Sequence, residues 1–210
     1  MSVAVVLTHG VPPSRETLAA ALTDASLFVC ADGAADNARA YGFEPETIIG
    51  DLDSVTPETL ARFPGARVVQ DEDTERTDTE KAIRHILACG GFTEIVLLGA
   101  SADRLDHVIG HLSLLLRYSD SIRIVLADDR CRAWVQGGEA VLDHPAGTVV
   151  SFFAVGEPAD GVTTHGLRYP LRDRRLELGV QDSISNVIES RPARVRVAKG
   201  KLLFFVVTRP

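Results

Sequence analysis

Ile48-Ile49-Gly50-Asp51-Leu52-Asp53-Ser54 is the stretch on which the reading of this chain turns. Two β-branched residues, a glycine that permits a tight turn and carboxylates at alternate positions describe a buried strand ending at a polar edge. Alternate side chains at such an end point the same way, so Asp51 and Asp53 can aim at one ion. Hard oxygen ligands of this kind suit Mg²⁺ on a phosphate ester, because Mg²⁺ keeps several waters and takes only one or two carboxylates from protein. A plainer reading competes: Asp51 and Ser54 cap a helix predicted near Pro57. Further along, Thr77-Asp78 and Arg104-Leu105-Asp106-His107 again set acidic residues, and one arginine, just beyond apolar runs.

Outward from that stretch, short apolar runs alternate with helical patterns. The runs are Val3 to Leu7, Leu27 to Ala31, Thr47 to Ile49, Arg67 to Val69, Glu94 to Leu98 and Ile122 to Ala127. That rhythm predicts a parallel sheet with crossover helices. A helix after Thr77 has a capping box, Thr77 with Glu80, an apolar face of Ala82, Ile83, Ile86 and Leu87, and a Gly90-Gly91 stop. The next helix, from about Arg104, sets Leu105, Val108, Ile109, Leu112, Leu115 and Leu116 on one face, with Asp106 and His107 in its first turn off that face.

After Ala127-Asp128-Asp129-Arg130 the pattern changes to short alternating strands separated by Gly137-Gly138, Gly156, Asp160-Gly161 and Lys199-Gly200, with no convincing helix. Thr148 to Val155, Arg194 to Val197 and Lys201 to Val207 are the clearest strands. The expected fold is an N-terminal open, mainly parallel α/β sheet domain over residues 1–129, followed by a C-terminal antiparallel β-sandwich over 130–210.

Composition bounds the function. At 210 residues the chain is long enough to bury a proper core. A net charge of −7 argues against nucleic-acid binding. No apolar run is long enough to span a bilayer, and no basic region precedes Val3, so no membrane association and a cytoplasmic location are expected. Cys30, Cys89 and Cys131 form no CxxC, so neither a disulfide framework nor a zinc site is indicated.

In an open parallel sheet, ligands bind beyond the carboxyl ends of the strands, where Asp32, Asp51, Asp53 and Gly99 fall. Asp32 with Gly33 has two readings, ligand or cap of the helix running to Tyr41. Asp71 and Glu72 read as a solvated acidic loop. His107 and His111 are spaced i, i+4 without the glutamate of an HExxH zinc site. Walker A, GxGxxG and GxSxG signatures are absent. Tyr169 and Ser185-Asn186, taken alone, read equally as a rim aromatic and a turn.

Taken in order, these pieces resemble the thiamine pyrophosphokinase family across nearly the whole chain. The resemblance rests on Ala31-Asp32-Gly33, Ile48 to Ser54, Thr77-Asp78-Thr79-Glu80-Lys81-Ala82, Leu98-Gly99-Ala100, Arg104-Leu105-Asp106-His107, Gly166-Leu167-Arg168-Tyr169-Pro170-Leu171 and Ser185-Asn186. It implies an α/β domain that binds ATP and Mg²⁺, a β-sandwich that binds thiamine and dimerises, and a homodimer whose sites are shared between subunits. It further implies transfer of diphosphate from ATP to the thiamine hydroxyl, releasing AMP. The chain departs from the family at Ala34 and Ala102-Asp103, where glycines are common, at Thr74-Glu75, and at His111, which replaces an asparagine.

On this expectation Asp51, Asp53 and Asp78 hold Mg²⁺ directly or through water and Arg104 offers its planar fork to phosphate oxygens. Asp32, Gly33, Ser54, Thr77 and Asp106 are further nucleotide or phosphate contacts. By resemblance Tyr169, Ser185 and Asn186 approach thiamine from the other subunit, an aromatic face suiting the cationic thiazolium. The sequence assigns no general base. Two rival readings are a diphosphokinase for another heteroaromatic alcohol, such as a pterin, and a catalytically silent nucleotide or thiamine-diphosphate sensor.

Overall fold

The computed structural model describes residues 2–100 and 104–208. Two compact units emerge: one runs to Leu114 and takes in Asp120–Asp129, the other comprises Leu115–Ser119 and the chain from Arg130 onward. The chain is thus an α/β unit followed by a β-rich unit, the fold class that the change in apolar rhythm predicts.

The first unit carries β1 (Val3–Leu7), β2 (Ala25–Ala31), β3 (Thr47–Gly50), β4 (Arg67–Gln70), β5 (Glu94–Leu98) and β6 (Arg123–Ala127). They lie parallel in the order β6-β5-β1-β2-β3-β4. Strands such as Val3–Leu7 are unbroken apolar runs because helices cover parallel sheets on both faces. The helices are α1 (Arg15–Leu22), α2 (Ala34–Tyr41), α3 (Pro57–Arg62), α4 (Asp78–Cys89) and α5 (Leu105–Tyr118). Leu18, Phe28, Ala34, Ala38, Val55 and Phe63 share one apolar cluster, each large side chain contributing roughly 1.5–3 kcal/mol through burial.

Caps fix where the helices begin. Ser14 caps α1, accepting the Thr17 N–H, and its own N–H and hydroxyl donate to the Asp129 carboxylate at 3.0 and 2.6 Å, tying positions 115 residues apart. Thr77 caps α4 by accepting the Glu80 N–H, and Gly90 ends the helix, as its capping box predicts. Ala82, Ile83 and Ile86 of the expected α4 face are fully buried. On α5, Leu114 and Leu115 are buried but Leu105 and Ile109 stay 80% and 66% exposed. Periodicity tells which residues share a helix face; how far along the helix that face is covered depends on what packs there.

The second unit carries β7 (Cys131–Leu142), β8 (Val149–His165), β9 (Arg174–Leu176), β10 (Ser183–Val187) and β11 (Ala193–Val207). β10, β8, β11 and β7 pair antiparallel in that order, and β9 pairs with β8. The glycines expected to separate short strands lie instead inside three long ones. Gly138, Gly156, Gly161 and Gly200 all take positive φ, and the β8–β11 register shifts between Lys199 and Lys201. A residue without Cβ bends or bulges a strand without ending its ladder. Trp134 stacks on Phe204 at a centroid spacing of 5.3 Å, and Phe152 meets the same Phe204 tilted at 5.8 Å.

Among the described residues no helix is long and apolar enough to cross a membrane. None of the three cysteines is in a disulfide, and burial raises the Cys30 thiol well above its ordinary pKa.

Candidate active site

Asp32, Asp51 and Asp78 converge, each offering a carboxylate oxygen within 4.8 Å of the other two. Asp32 follows β2, Asp51 follows β3 and Asp78 opens α4, so the cluster stands beyond the carboxyl ends of parallel strands. Gly50 permits the approach: a Cβ there would lie 2.8 Å from the Asp32 Cβ and 3.2 Å from the Asp78 Cγ. Two ligands on opposite sides of a Mg²⁺ ion at ~2.1 Å stand about 4.2 Å apart, so three hard oxygen donors at this spacing fit that ion with small adjustment.

The convergent set differs from the expected Asp51, Asp53 and Asp78 by holding Asp32 where Asp53 was expected. The reason lies in Leu52, whose φ of 66° is left-handed. Side chains two apart share a direction only on extended backbone, and the left-handed residue breaks that relation. The Asp53 N–H donates to Asp51 Oδ1 at 3.2 Å, and its carboxylate accepts the Ser54 hydroxyl at 2.8 Å. Leu52 itself packs against the apolar cluster of the unit, which holds the strained turn in place.

Neither capping alternative survives. Thr56 caps α3, in place of Asp51 or Ser54, and α2 begins at Gly33 with no side-chain cap. The Asp32 carboxylate, 2% exposed, accepts the N–H groups of Ser54 (3.2 Å) and Val55 (3.0 Å) and so pins the acidic loop from below. Burial raises the Asp32 pKa; the two N–H donors oppose this, and the negative Asp78 and Asp51 add to it. Exposed Asp51 is shifted the other way, chiefly by the Asp53 N–H and with help from the Lys81 charge.

Lys81, to which the sequence reading gave no role, stands beside the cluster. Its side chain is 3% exposed and its Nζ donates to Asp78 Oδ1 at 2.9 Å. Burial alone would lower its pKa, but the Asp78 bond and the charges of Asp78, Asp51 and Asp71 outweigh that and raise it. The available signal was a lysine abutting the buried Ala82-Ile83 face of α4. The acidic loop before α4 is also organised: Asp71 and Asp73 each accept the N–H two residues on, and Asp73 pairs with Arg76.

The remaining candidates fall as follows. Gly33 lies under His9, whose ring would be 2.7 Å from a Cβ at that position. Arg104 and Asp106 pair with each other at the start of α5, both exposed; Ala102-Asp103, just before them, lie outside the described residues. His111 is committed within the first unit, Nδ1 to the Ala100 carbonyl (3.0 Å) and Nε2 to the Thr79 hydroxyl (3.3 Å), which leaves neither nitrogen for a metal shared with exposed His107. Where the strand order reverses, between β1 and β5, the buried Thr8 hydroxyl has no hydrogen-bond partner among the described residues, and Gly99 passes so close that a Cβ would meet the Thr8 carbonyl at 2.6 Å. Sequence reasoning singled out Gly99 but not Thr8.

In the second unit, Asn186 is 1% exposed and its amide clasps the backbone of Tyr169, while the Tyr169 side chain is 60% exposed. Ser185 takes a left-handed φ of 52° and its N–H donates to Ser151 Oγ. Thr164 holds the other end of this loop, exchanging bonds with the Leu171 backbone.

Fold and site together define an α/β protein with an oxygen-donor cluster at the carboxyl edge of a parallel sheet, joined to a β-rich unit. The profile "Thiamin pyrophosphokinase, catalytic domain" matches residues 18–126, and "Thiamin pyrophosphokinase, vitamin B1 binding domain" matches 140–202. Thiamine pyrophosphokinase 1 of Oryza sativa subsp. japonica is 30% identical over 200 residues, 81% of this chain and 75% of that protein. The fold is shared with thiamine pyrophosphokinase of Bacillus subtilis (TM-score 0.86, 23% identity, 99% of this chain and 100% of that one) and with that of Candida albicans (TM-score 0.87, 15% identity, 98% and 88%). The chain belongs to the thiamin pyrophosphokinase family.

Proposed function

We propose that the chain transfers the diphosphate of ATP to the hydroxyl of thiamine, giving thiamine diphosphate and AMP, at the cluster of Asp32, Asp51 and Asp78. The match of both halves to the two thiamin pyrophosphokinase domains carries the reaction. The convergence of the three carboxylates at the carboxyl edge supports the location. The rival substrates and the silent sensor find no support among the relatives, which are named as thiamine pyrophosphokinases.

In the reaction the thiamine oxygen bonds to the β-phosphorus, the bond from that phosphorus to the bridging oxygen breaks, and AMP leaves with that oxygen while the hydroxyl proton is lost. Positioning and charge neutralisation are the main tasks for such a transfer. Mg²⁺, when bound, neutralises phosphate oxygens. Asp51 and Asp78 would hold it, with the Asp53 carboxylate nearby in sequence, and Asp32 fixes the loop that presents Asp51. Arg104 turns its fork to phosphate, with Asp106 orienting it. The Thr8 hydroxyl, unsatisfied among the described residues, suits a nucleotide contact at the point where strand order reverses.

The first unit binds ATP and Mg²⁺; the second binds thiamine and dimerises. Tyr169 offers its exposed ring to the thiazolium, Ser185 offers its hydroxyl, and Asn186 holds Tyr169 in place. The assembly is a homodimer with each site completed by the neighbour's second unit, a reading supported by Tyr169 and Ile184, both large, apolar and exposed beside Ser185. A cytoplasmic location suits a reaction that consumes ATP.

The test is an assay with ATP, Mg²⁺ and thiamine or a pterin alcohol, following nucleotide and product together. AMP and thiamine diphosphate should appear in equal amounts. ADP as the nucleotide product, or preference for the pterin, would overturn the proposal.

A further inference from the structure

We infer that Lys81 is a resident cation that keeps the carboxylate cluster from taking up a divalent ion by itself, so that the ion enters together with its nucleotide. The inference rests on the proposed function's assignment of Asp51 and Asp78 to the metal.

Asp78 is approached from two sides. Its Oδ1 accepts Lys81 Nζ at 2.9 Å, and its carboxylate also shares the cluster with Asp32 and Asp51. Lys81 is 3% exposed while Asp78 is 31% exposed, so the ammonium reaches the carboxylate from the protein interior and the open side remains for a ligand. The pair is i, i+3 on one helix turn, which keeps the two groups together. A surface lysine would swing into water when a dication arrives. A buried one leaves only by giving up its carboxylate partner and displacing the packing that covers it, which is unfavourable for a charge.

Charge counting gives the consequence. Asp32, Asp51 and Asp78, with Asp71 close enough to act on Lys81, form an anionic pocket that should attract any divalent ion. Lys81 cancels part of that field and competes for a ligand oxygen. A dication within a few ångströms of the ammonium is repelled, and at such range in partly buried surroundings the repulsion is far from screened. The phosphates of a nucleotide bring negative charge that offsets both cations at once. Metal and nucleotide therefore bind cooperatively, each raising the affinity for the other by the same factor.

The experiment uses the full chain and Mn²⁺ as the probe, with free Mn²⁺ read by electron paramagnetic resonance, with and without a non-hydrolysable ATP analogue. Wild type should bind Mn²⁺ weakly alone and much more tightly with the analogue. Lys81→Met, which keeps an unbranched side chain one atom shorter and removes the charge, should bind Mn²⁺ alone about tenfold or more tightly than wild type. Lys81→Arg should behave as wild type, and Asp78→Asn added to Lys81→Met should abolish the gain. Should Lys81→Met fail to fold by circular dichroism, Lys81→Gln and the wild-type cooperativity carry the test. Lys81→Met, or Lys81→Gln in its place, binding Mn²⁺ no more tightly than wild type overturns the inference, as does a wild type that binds Mn²⁺ equally with and without the analogue. Binding that remains Asp78-dependent in the analogue's presence would leave the metal assignment standing in either case; Mn²⁺ binding indifferent to Asp78 throughout would remove that assignment and this inference together.

Discussion

The side-chain amide of Asn186 pairs with both backbone groups of Tyr169: its Oδ1 accepts the Tyr169 N–H at 3.0 Å and its Nδ2 donates to the Tyr169 carbonyl at 2.8 Å. The same Oδ1 accepts the Val187 N–H at 2.9 Å. Asn186 thus does for the loop what a neighbouring strand does for a ladder, and Asn186→Ala would leave several polar groups without partners. We expect a loss of roughly 2–4 kcal/mol in urea unfolding, within the range for unsatisfied buried groups. If the loop positions thiamine, the KM for thiamine rises while the KM for ATP holds; unchanged stability would show that water replaces the amide without cost.

Gly50→Ala places a Cβ against Asp32 and Asp78. Overpacking of this kind costs about 1–3 kcal/mol. The larger effect is geometric: Asp32 and Asp78 must part, and kcat/KM should fall about 100-fold or more, since small misplacements at a transfer site have that weight. Steady-state kinetics on the folded variant measure it, and near-normal turnover would mean the cluster tolerates a wider spacing.

His111 supplies a pH dependence. Burial chiefly, with the charge of His107, lowers its pKa, while the Ala100 carbonyl opposes the shift. A depressed histidine binds protons more readily unfolded than folded, so stability is full above the unfolded pKa of about 6.5 and declines as pH falls below it. Denaturation at pH 7.5 and pH 5.5 should therefore show a larger loss in wild type than in His111→Asn. The comparison of the two proteins matters because burial also lowers His85 and His144. Equal losses in both would mean His111 does not contribute.

The proposal of a site shared between subunits predicts complementation. Asp51→Asn chains mixed with Tyr169→Ala chains, each inactive and folded, should form heterodimers in which one site carries both defects and the other neither. Activity should then return to about half that of one wild-type dimer per heterodimer, from the symmetry of a two-site interface. Exchange is verified with two affinity tags. Confirmed exchange with no recovery would place both halves of the site within one chain.

The sequence by itself determined the parallel α/β unit, its strands and the start of α4 at Thr77, because these depend on local quantities: apolar period, capping side chains and chain order. It marked Asp51 and Asp78 for the same reason, since both stand immediately after or at the edge of such elements. What it could not contain is the exchange of Asp53 for Asp32, which depends on Leu52 turning left-handed against the apolar cluster and on Gly50 admitting Asp32 from the end of the neighbouring strand β2. Lys81 reads in sequence as an ordinary helix lysine; only packing makes it a buried cation beside Asp78. The glycines of the second half read as strand ends because composition records lost side chains, whereas the pairing of β7, β8 and β11 across those glycines is set by distant partners. Local chemistry fixes what each segment is, and long-range packing decides which side chains meet.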